Sequence, residues 1–272
     1  MPILAASVLV LVALGALLAP LLAREPLGAV DLSQTLVPPV WSSSGSWLHP
    51  LGTDQLGRDT LARLAYGGRV SLLVAVSSVF LASSIGTLVG LISGYFEGWI
   101  DVVAARIIEA QLSLPLILVA LAIVIALGSS FQTVVLAIAL SSWVPFARIV
   151  RSEVLVLKHH DFVDLAVVAG LGGPAIIRRH ILPNVLPSVV VLASQNFGQA
   201  IIYEASLSYL SLGVQPPQVS WGFMIAQSRI YLASVPLLVL APAVTLAVTA
   251  LSANILCDLL RDRLDPTLTT LQ

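Results

Sequence analysis

The chain has 272 residues, of which 58% are hydrophobic and only 10% are charged, and its mean hydropathy is +0.99. This composition excludes an ordinary soluble domain, and a net charge of −1 argues against a nucleic-acid partner. The single cysteine, Cys257, excludes an intramolecular disulfide.

Apolar stretches long enough to cross a bilayer recur along the chain. A membrane helix needs about 20 mainly apolar residues, because it rises about 1.5 Å per residue across roughly 30 Å of hydrocarbon. The first stretch has no preceding basic residues and exceeds the usual apolar length of a signal peptide, so we expect it to be retained as a helix. The sequence therefore predicts an all-α polytopic membrane protein with six transmembrane helices, at about 3–22, 70–94, 103–127, 132–150, 185–210 and 236–257.

These helices divide the chain into three parts. Residues 1–69 are predicted to hold the first transmembrane helix and an extracytoplasmic segment, residues 70–257 a core of five helices with a loop at 151–184, and residues 258–272 a cytoplasmic tail. Within the first part, the run Leu51-Gly-Thr-Asp-Gln-Leu-Gly-Arg-Asp59 leads into the second helix. On its residues alone, this run fits a surface helix capped by Thr53 or Asp54, with Asp59 paired to Arg63.

The second and third predicted helices carry two further patterns. Gly86, Gly90 and Gly94 lie four residues apart in the second, a spacing that lets two membrane helices pack closely. We expect these glycines to serve packing within the chain or with a partner rather than contact with a substrate. Near the start of the third, Asp101, Arg106 and Glu109 are expected to form a neutralised cluster at the membrane surface.

The 151–184 loop is polar and interrupts an otherwise apolar chain. Asp161 is expected to cap a short helix that ends near Gly170, where glycine adopts the left-handed conformation easily. Pro174 is suited to the first position of a second short helix, which is predicted to end in Arg178-Arg179-His180. The sequence thus predicts two short helices and a glycine hinge, whereas a loop that only obeys the positive-inside rule would need the arginines alone.

Sites for nucleotide or metal are absent from the sequence. It contains no Gly-x-x-x-x-Gly-Lys-Ser/Thr phosphate loop, and the only lysine is Lys158. The four histidines, at 49, 159, 160 and 180, lack the spacing of a structural metal site. We therefore predict that the chain has no ATPase site, no cofactor and no metal of its own, and that it is not itself an enzyme.

The fifth predicted helix is unusually polar for a membrane span. Gln195, Gln199, Tyr203 and Ser206, here called the amide stripe, fall on one side of a helix with 3.6 residues per turn. Amides and a phenol in hydrocarbon need water or a polar partner. The stripe is therefore a candidate lining for a translocation pathway, with hydrogen bonding between helices as the alternative. Glu204 is predicted to lie on the opposite face of this helix.

The 151–184 loop resembles the EAA loop of bacterial ABC importer permeases. The pattern of that family is Glu-Ala-Ala, three residues, Gly, nine residues, and a hydrophobic-x-Leu-Pro close. In this chain Asp164 stands in place of the Glu and Leu165 in place of the first Ala. The resemblance implies that the loop couples the membrane domain to a separate ATPase through Asp164, Ala166, Gly170, His180, Leu182, Pro183 and Asn184.

Three other runs are similar to the dipeptide, oligopeptide and nickel subgroup of that family. They are the 51–59 run, the run from Glu204 to Pro217, and the tail from Leu260 to Pro266. The resemblance implies a type I ABC importer fold in the bacterial cytoplasmic (inner) membrane. The implied partners are a second related permease, two cytoplasmic ATPases that bind ATP and Mg, an extracytoplasmic binding protein and the lipid bilayer.

Basic residues are consistent with this orientation. If the 151–184 loop is cytoplasmic, both termini are cytoplasmic too, and that side holds a modest excess of arginine and lysine in short loops. The residues expected there are Arg148, Arg151, Lys158, Arg178, Arg179, Arg261 and Arg263.

The resemblance implies ATP-driven import, most readily of di- or oligopeptides, with nickel or another small solute as the alternative cargo. A second alternative is an ion-coupled secondary carrier that would use Arg106, Glu109 and Glu204 as a relay. Such a carrier would need intramembrane carboxylates facing a cavity. A third alternative, a membrane scaffold without transport, leaves the amide stripe and the 161–184 region unexplained.

Overall fold

The computed structural model describes residues 2–22 and 30–264. Over those residues the chain is helical, and its sole β-pairing is an isolated bridge between Thr53 and Asp59, so the predicted all-α fold is confirmed. The helices are α1 Pro2–Leu17, α2 Ala19–Leu22, α3 Thr60–Phe96, α4 Gly98–Leu112, α5 Leu116–Leu127, α6 Phe131–Ser142, α7 Val144–Leu157, α8 Asp161–Val168, α9 Gly173–Ile176, α10 Leu182–Tyr209, α11 Trp221–Ser228 and α12 Leu237–Leu264.

Among the residues that the structure describes, three helical units are long and apolar enough to cross a membrane unbroken: Thr60–Phe96, Gly173–Tyr209 and Leu237–Leu259. Two further units are bent pairs, α4 with α5 and α6 with α7, which bring the number of possible spans to five. The apolar α1 is shorter, with 16 residues. These five units and α1 correspond in position to the six predicted helices.

The predicted 103–127 span is formed by a bent pair of helices. Helices α4 and α5 meet at an angle of 93°, and the break falls at Pro115, which is the N-cap of α5. Proline has no N–H to donate and disfavours helical geometry at the residue before it, so the helix ends there. The predicted 132–150 helix is also bent, by 43°, with Trp143 between its two halves.

Helix α3 is the central element and packs against α1, α6, α7 and α10. Its glycines permit the closest of these contacts: a Cβ added at Gly86 would lie 2.5 Å from Phe146 Cβ, and one at Gly90 would lie 2.7 Å from the carbonyl oxygen of Ala147. The expected packing role of the glycines is therefore confirmed, and their partner within the chain is α7.

The charged side chains of α4 form two ion pairs, one within α4 and one with α7. Arg106 Nη1 donates to Glu109 Oε2 at 2.9 Å on the surface of α4, as predicted. Asp101 does not join that pair, because it accepts from Arg151 of α7, with an Nη2–Oδ2 distance of 2.7 Å. The Asp101–Arg151 pair ties the start of α4 to α7.

The 30–58 segment has little regular structure but many side-chain contacts. Asp59, and neither Thr53 nor Asp54, caps α3, since its Oδ2 accepts from the N–H of Ala62 at 2.8 Å. Asp54 pairs with both Arg58 and Arg63. The interpretation of the 51–59 run as a capped helix with an Asp59–Arg63 pair was therefore wrong.

Helix α12 continues past residue 258 to Leu264, whereas the apolar span within it ends at Leu259. The predicted cytoplasmic tail at 258–272 stays a prediction. Residues 265–272, like Arg24, lie outside the residues that the structure describes.

Candidate functional site

The 161–184 loop begins with α8, which ends in a left-handed glycine. Gly170 has φ of +82°, its N–H donates to the carbonyl of Val167 at 2.9 Å, and the next N–H, of Leu171, donates to Ala166 at 3.1 Å. This pair of bonds is the Schellman pattern, in which glycine ends a helix by adopting a positive φ. The prediction that this helix ends near Gly170 is confirmed. Its N-cap position is His160, which makes no side-chain capping bond, and Asp161, predicted as the cap, is the first residue of the helix.

The second half of the loop differs from the prediction. Pro174 does lie in the first turn of α9, but no helix ends at Arg178-Arg179-His180. A π-helical turn, Ile177–Ile181, joins α9 directly to α10, so that Gly173–Tyr209 forms one helical unit of 37 residues. Pro183 and Pro187 both lie within this unit, and prolines occur within membrane helices when neighbouring groups satisfy the freed carbonyls.

One face of the loop packs against the membrane helices. Val163, Ala166, Ile176 and Ile181 are buried, and a Cβ added at Gly173 would lie 3.0 Å from the ring of Tyr95 at the end of α3. The loop therefore has a buried face and contacts the end of α3 at Tyr95.

The opposite face of the loop is apolar and exposed. Leu165 is 68% exposed and Val168 is 85% exposed, and the carboxylates of Asp161 and Asp164 lie beside them on α8. Apart from Gly170 and its two chain neighbours, no atom lies within 4 Å of the position where a Cβ would be added at Gly170. A compact helix that presents apolar side chains and an open glycine turn has the character of a docking surface.

The loop residues implied by the family resemblance do not share one environment. Ala166 is buried, whereas Asp164, Gly170, Pro183 and Asn184 are exposed, and His180 and Leu182 are partly buried. Asn184 Nδ2 donates to the carbonyl of His180 at 2.6 Å. The imidazole ring of His160 stacks on the phenyl ring of Phe162, and the two ring centroids are 5.8 Å apart.

The amide stripe lies at the edge of the contacts that α10 makes, with Tyr203 packed against the core. Gln199 is exposed, and Gln195, Tyr203 and Ser206 are partly buried. Ser206 Oγ donates to the carbonyl of Ile202 within its own helix at 2.8 Å. Within residues 30–259, no hydrogen bond joins a stripe side chain to another helix, so the stripe is open to a partner or to water.

Glu204 lies on the other face of α10, as predicted, and is fully buried. Its Oε2 accepts from Ser71 Oγ of α3 at 2.9 Å, and its Oε1 accepts from Ser208 Oγ at 2.6 Å. Ser220, which caps α11, lies 3.2 Å from Ser208 between hydroxyl oxygens. This arrangement is here called the Glu204 cluster (Ser71, Glu204, Ser208 and Ser220). It was not predicted from the sequence, although serines within apolar helices are a visible signal.

A second polar cluster at the same end of the protein was also missed. Gln227 Oε1 of α11 accepts from Arg58 Nη2 at 3.1 Å and from Arg63 Nη2 at 2.9 Å. Burial lowers the pKa of the Arg58 guanidinium. Asp54, which is nearly inaccessible, holds the two arginines from the other side. The 51–59 run thus fastens the 30–58 segment to α3 and α11.

Comparison with known proteins places these features in a family. The family model described as the binding-protein-dependent transport system inner membrane component matches residues 86–270. The glutathione transport system permease protein GsiD of Pectobacterium atrosepticum is 42% identical over 226 residues, which cover 83% of this chain and 74% of that protein. The dipeptide transport system permease protein DppC of Alkalihalophilus pseudofirmus is 41% identical over 251 residues, 92% of this chain and 81% of that protein.

The fold has a match among solved structures as well. The MetNI methionine ABC transporter in inward-facing conformations aligns with a TM-score of 0.60 and 17% identity, over 75% of this chain and 96% of that one. At that identity the likeness concerns the fold alone. The family match and the two relatives show that the chain belongs to the inner membrane components of binding-protein-dependent transport systems.

Proposed function

We propose that this chain is a permease subunit of an ATP-driven importer and that its 161–184 loop docks onto an ATPase subunit. The observation that carries this proposal is the exposed apolar face of α8, with Leu165 and Val168 beside the open turn at Gly170. A single long helical unit follows the loop. Movement of the docked loop would therefore act directly on a membrane helix.

The energy for transport comes from ATP hydrolysis by partner subunits. The sequence lacks a phosphate-loop lysine, so ATP and Mg are assigned to two cytoplasmic ATPase subunits, and this chain contributes no catalytic residue. The other proposed partners are a second related permease and an extracytoplasmic binding protein. This arrangement puts the 161–184 loop and both termini on the cytoplasmic side.

The proposed cargo is a short peptide. The two relatives are named for glutathione and for dipeptides, which share amide, carboxylate and ammonium groups. The amide stripe offers hydrogen-bond donors and acceptors that suit such groups, and its open face fits a pathway formed between this chain and the second permease. Residues Gln195, Gln199, Tyr203 and Ser206 are therefore proposed to line the passage.

The stripe can be tested by cysteine labelling. Each stripe residue is changed to cysteine in a Cys257→Ser background and treated with a water-soluble thiol reagent. We expect reaction at all four positions and a change in rate with ATP. Leu88, which is 59% exposed on α3, is the control because its exposed side is expected to face lipid. Four positions as inert as Leu88→Cys would contradict the proposed pathway.

The energy source can be tested in proteoliposomes that contain the complex purified through a tagged permease, with its binding protein. Uptake of glutathione, of the dipeptide Ala-Ala and of Ni²⁺ is measured separately. We expect ATP-dependent peptide uptake that continues after an uncoupler collapses the proton gradient. Loss of uptake with ATP unchanged would contradict the ATP-driven mechanism, and uptake of Ni²⁺ alone would contradict the peptide cargo.

A further inference from the structure

The Glu204 cluster connects three elements that are distant in sequence. Ser71 belongs to α3, Glu204 and Ser208 belong to α10, and Ser220 caps α11 through its bond with the N–H of Phe223. Each side chain of the cluster is buried, with at most 1% exposed. The cluster is therefore a closed polar contact between helices, with no access to water.

The contact also fixes the start of α11. The N–H of Trp221 donates to Ser71 Oγ at 3.2 Å, and its indole Nε1 donates to the carbonyl of Leu64 at 2.9 Å. A Cβ added at Gly222 would lie 2.5 Å from Cα of Ala205, so α11 lies against the backbone of α10. If α10 moves near Ala205, α11 must move with it unless these contacts break.

The cluster lies far from the 161–184 loop along the same helical unit. That unit begins at Gly173 in the loop and ends at Tyr209. From Gly173 to Glu204 a helix would span about 45 Å at about 1.5 Å per residue. The two ends are thus on opposite sides of a bilayer, and a single helix joins them.

We propose that Glu204 is a positioning residue of the transport cycle, which transmits movement of α10 at the ATPase to α11 on the extracytoplasmic side. This inference rests on the proposed function of the 161–184 loop. A buried carboxylate is expensive compared with an apolar side chain, but it holds the hydroxyls of Ser71 and Ser208 in defined directions. Those two hydroxyls in turn contact the start of α11, through the N–H of Trp221 and the hydroxyl of Ser220, so the cluster relates the positions of three helices. The second cluster, through Gln227, then passes the movement from α11 to the 30–58 segment.

This role differs from that of a proton relay. A relay carboxylate must reach water and change protonation during the cycle, whereas both oxygens of Glu204 accept hydrogen bonds from buried serines. Glu204 also lies across α10 from the amide stripe. Its position suits a mechanical contact and not a contact with substrate.

The test uses two single-cysteine reporters in the Cys257→Ser background of the purified complex in lipid nanodiscs. Val168→Cys, on the exposed face of α8, reports docking of the ATPase. Ala226→Cys, which is partly buried on α11, reports movement at the opposite end. Labelling rates are measured with and without ATP and vanadate, so that no substrate is needed.

With Glu204 present, we expect the ATPase to protect Val168→Cys, and ATP with vanadate to change the labelling of Ala226→Cys several-fold. In Glu204→Gln, Val168→Cys should stay protected while the response of Ala226→Cys disappears. Ser71→Ala and Ser208→Ala, which each remove one donor, should weaken that response. Ser194→Ala is the matched control, because Ser194 donates only to the carbonyl of Val190 in its own helix, and it should leave the response unchanged.

A full response of Ala226→Cys in Glu204→Gln would overturn the proposal. The proposal would also be overturned if Ser71→Ala and Ser208→Ala kept the labelling response of Ala226→Cys while their melting temperatures fell. The cluster would then contribute to stability and not to the transmission of movement. If Glu204→Gln does not assemble, the two serine variants decide the question. Lack of protection at Val168→Cys in the unaltered complex would instead overturn docking by the 161–184 loop, and this inference with it.

Discussion

The 161–184 loop and the 30–58 segment both interrupt an apolar chain, but their polar residues serve different ends. In the 30–58 segment the charged side chains bind one another, α3 and α11. Asp54 pairs with Arg58 and with Arg63 of α3, and Arg58 donates to Gln227 of α11. In the loop the carboxylates of Asp161 and Asp164 lie exposed beside apolar residues. The first region is stabilised within the chain, whereas the second presents a surface that the chain itself does not cover.

This difference predicts that substitutions in the two regions have different consequences. Changes in the 30–58 segment should reduce stability, because they leave buried charges without partners. Changes on the exposed face of the loop should reduce coupling to ATP hydrolysis and leave stability nearly intact.

The largest effect is expected from Asp54→Asn. Removing this charge leaves Arg63, whose side chain is 4% exposed, without its counter-ion, and breaking a buried pair in this way costs about 3–5 kcal/mol. Thermal unfolding of the purified complex in detergent should show a large drop in melting temperature. Asp31→Asn is the control, since Asp31 caps a short turn from the surface of the same segment and asparagine caps equally well.

An Asp54→Asn protein that melts like the unaltered one, yet no longer imports, would reverse the assignment of the two regions. The 30–58 segment would then act in coupling and not in stability.

The next largest effect is expected from Gly170→Arg. Apart from Gly170 and its two chain neighbours, no atom of this chain lies within 4 Å of the added Cβ, so the arginine would project toward the ATPase, and uptake should fall by about tenfold or more, equivalent to about 1.4 kcal/mol of lost docking. A non-glycine residue at φ +82° adds a strain of about 1–2 kcal/mol. Uptake and melting temperature are measured together.

Gly170→Asn separates the backbone strain at position 170 from the steric block of ATPase docking. Asparagine adopts the left-handed conformation more readily than arginine, and its side chain is shorter. We expect it to retain most of the uptake. If asparagine and arginine reduce uptake equally, the turn matters for its geometry and not for its open surface.

A smaller effect is expected from Leu165→Asp on the exposed face of α8. Loss of one apolar contact in an interface should weaken ATPase binding by about 1–2 kcal/mol, or roughly five- to thirtyfold. Binding of the ATPase is measured by co-purification in a titration. Val163→Asp, on the buried face of the same helix, should instead lower the melting temperature, and the opposite pattern in this pair would contradict the proposed faces.

The smallest effect is expected from Glu109→Gln. Glu109 and Arg106 form a pair on the surface, with side chains 62% and 77% exposed, and such pairs contribute about 0.3–0.5 kcal/mol. Uptake and melting temperature should both stay close to those of the unaltered protein. Conversion of active uptake into passive exchange would favour the ion-coupled carrier.

The sequence predicted the features that depend on local pattern. Apolar length located the membrane helices, four-residue spacing identified the packing glycines of α3, and Gly170 marked the end of α8. Each of these signals arises within a few turns of one helix.

Features that depend on tertiary contacts could not be predicted from the sequence. Hydropathy does not register the 93° bend between α4 and α5, and Asp101 pairs with Arg151 fifty residues away. The second short helix was predicted to end at Arg178-Arg179-His180, but the π-helical turn Ile177–Ile181 joins α9 to α10 without a break. The Glu204 cluster joins α3, α10 and α11, and no local pattern relates those three regions.

The most direct test compares two equally exposed positions, one in each region. Val168 in the loop is 85% exposed and Trp47 in the 30–58 segment is 82% exposed, and each is replaced in turn by benzoylphenylalanine for photo-crosslinking in native membranes. We predict an adduct with the ATPase from position 168 and none from position 47. An ATPase adduct from position 47, or its absence at 168 in a complex that still imports, would contradict docking through the 161–184 loop.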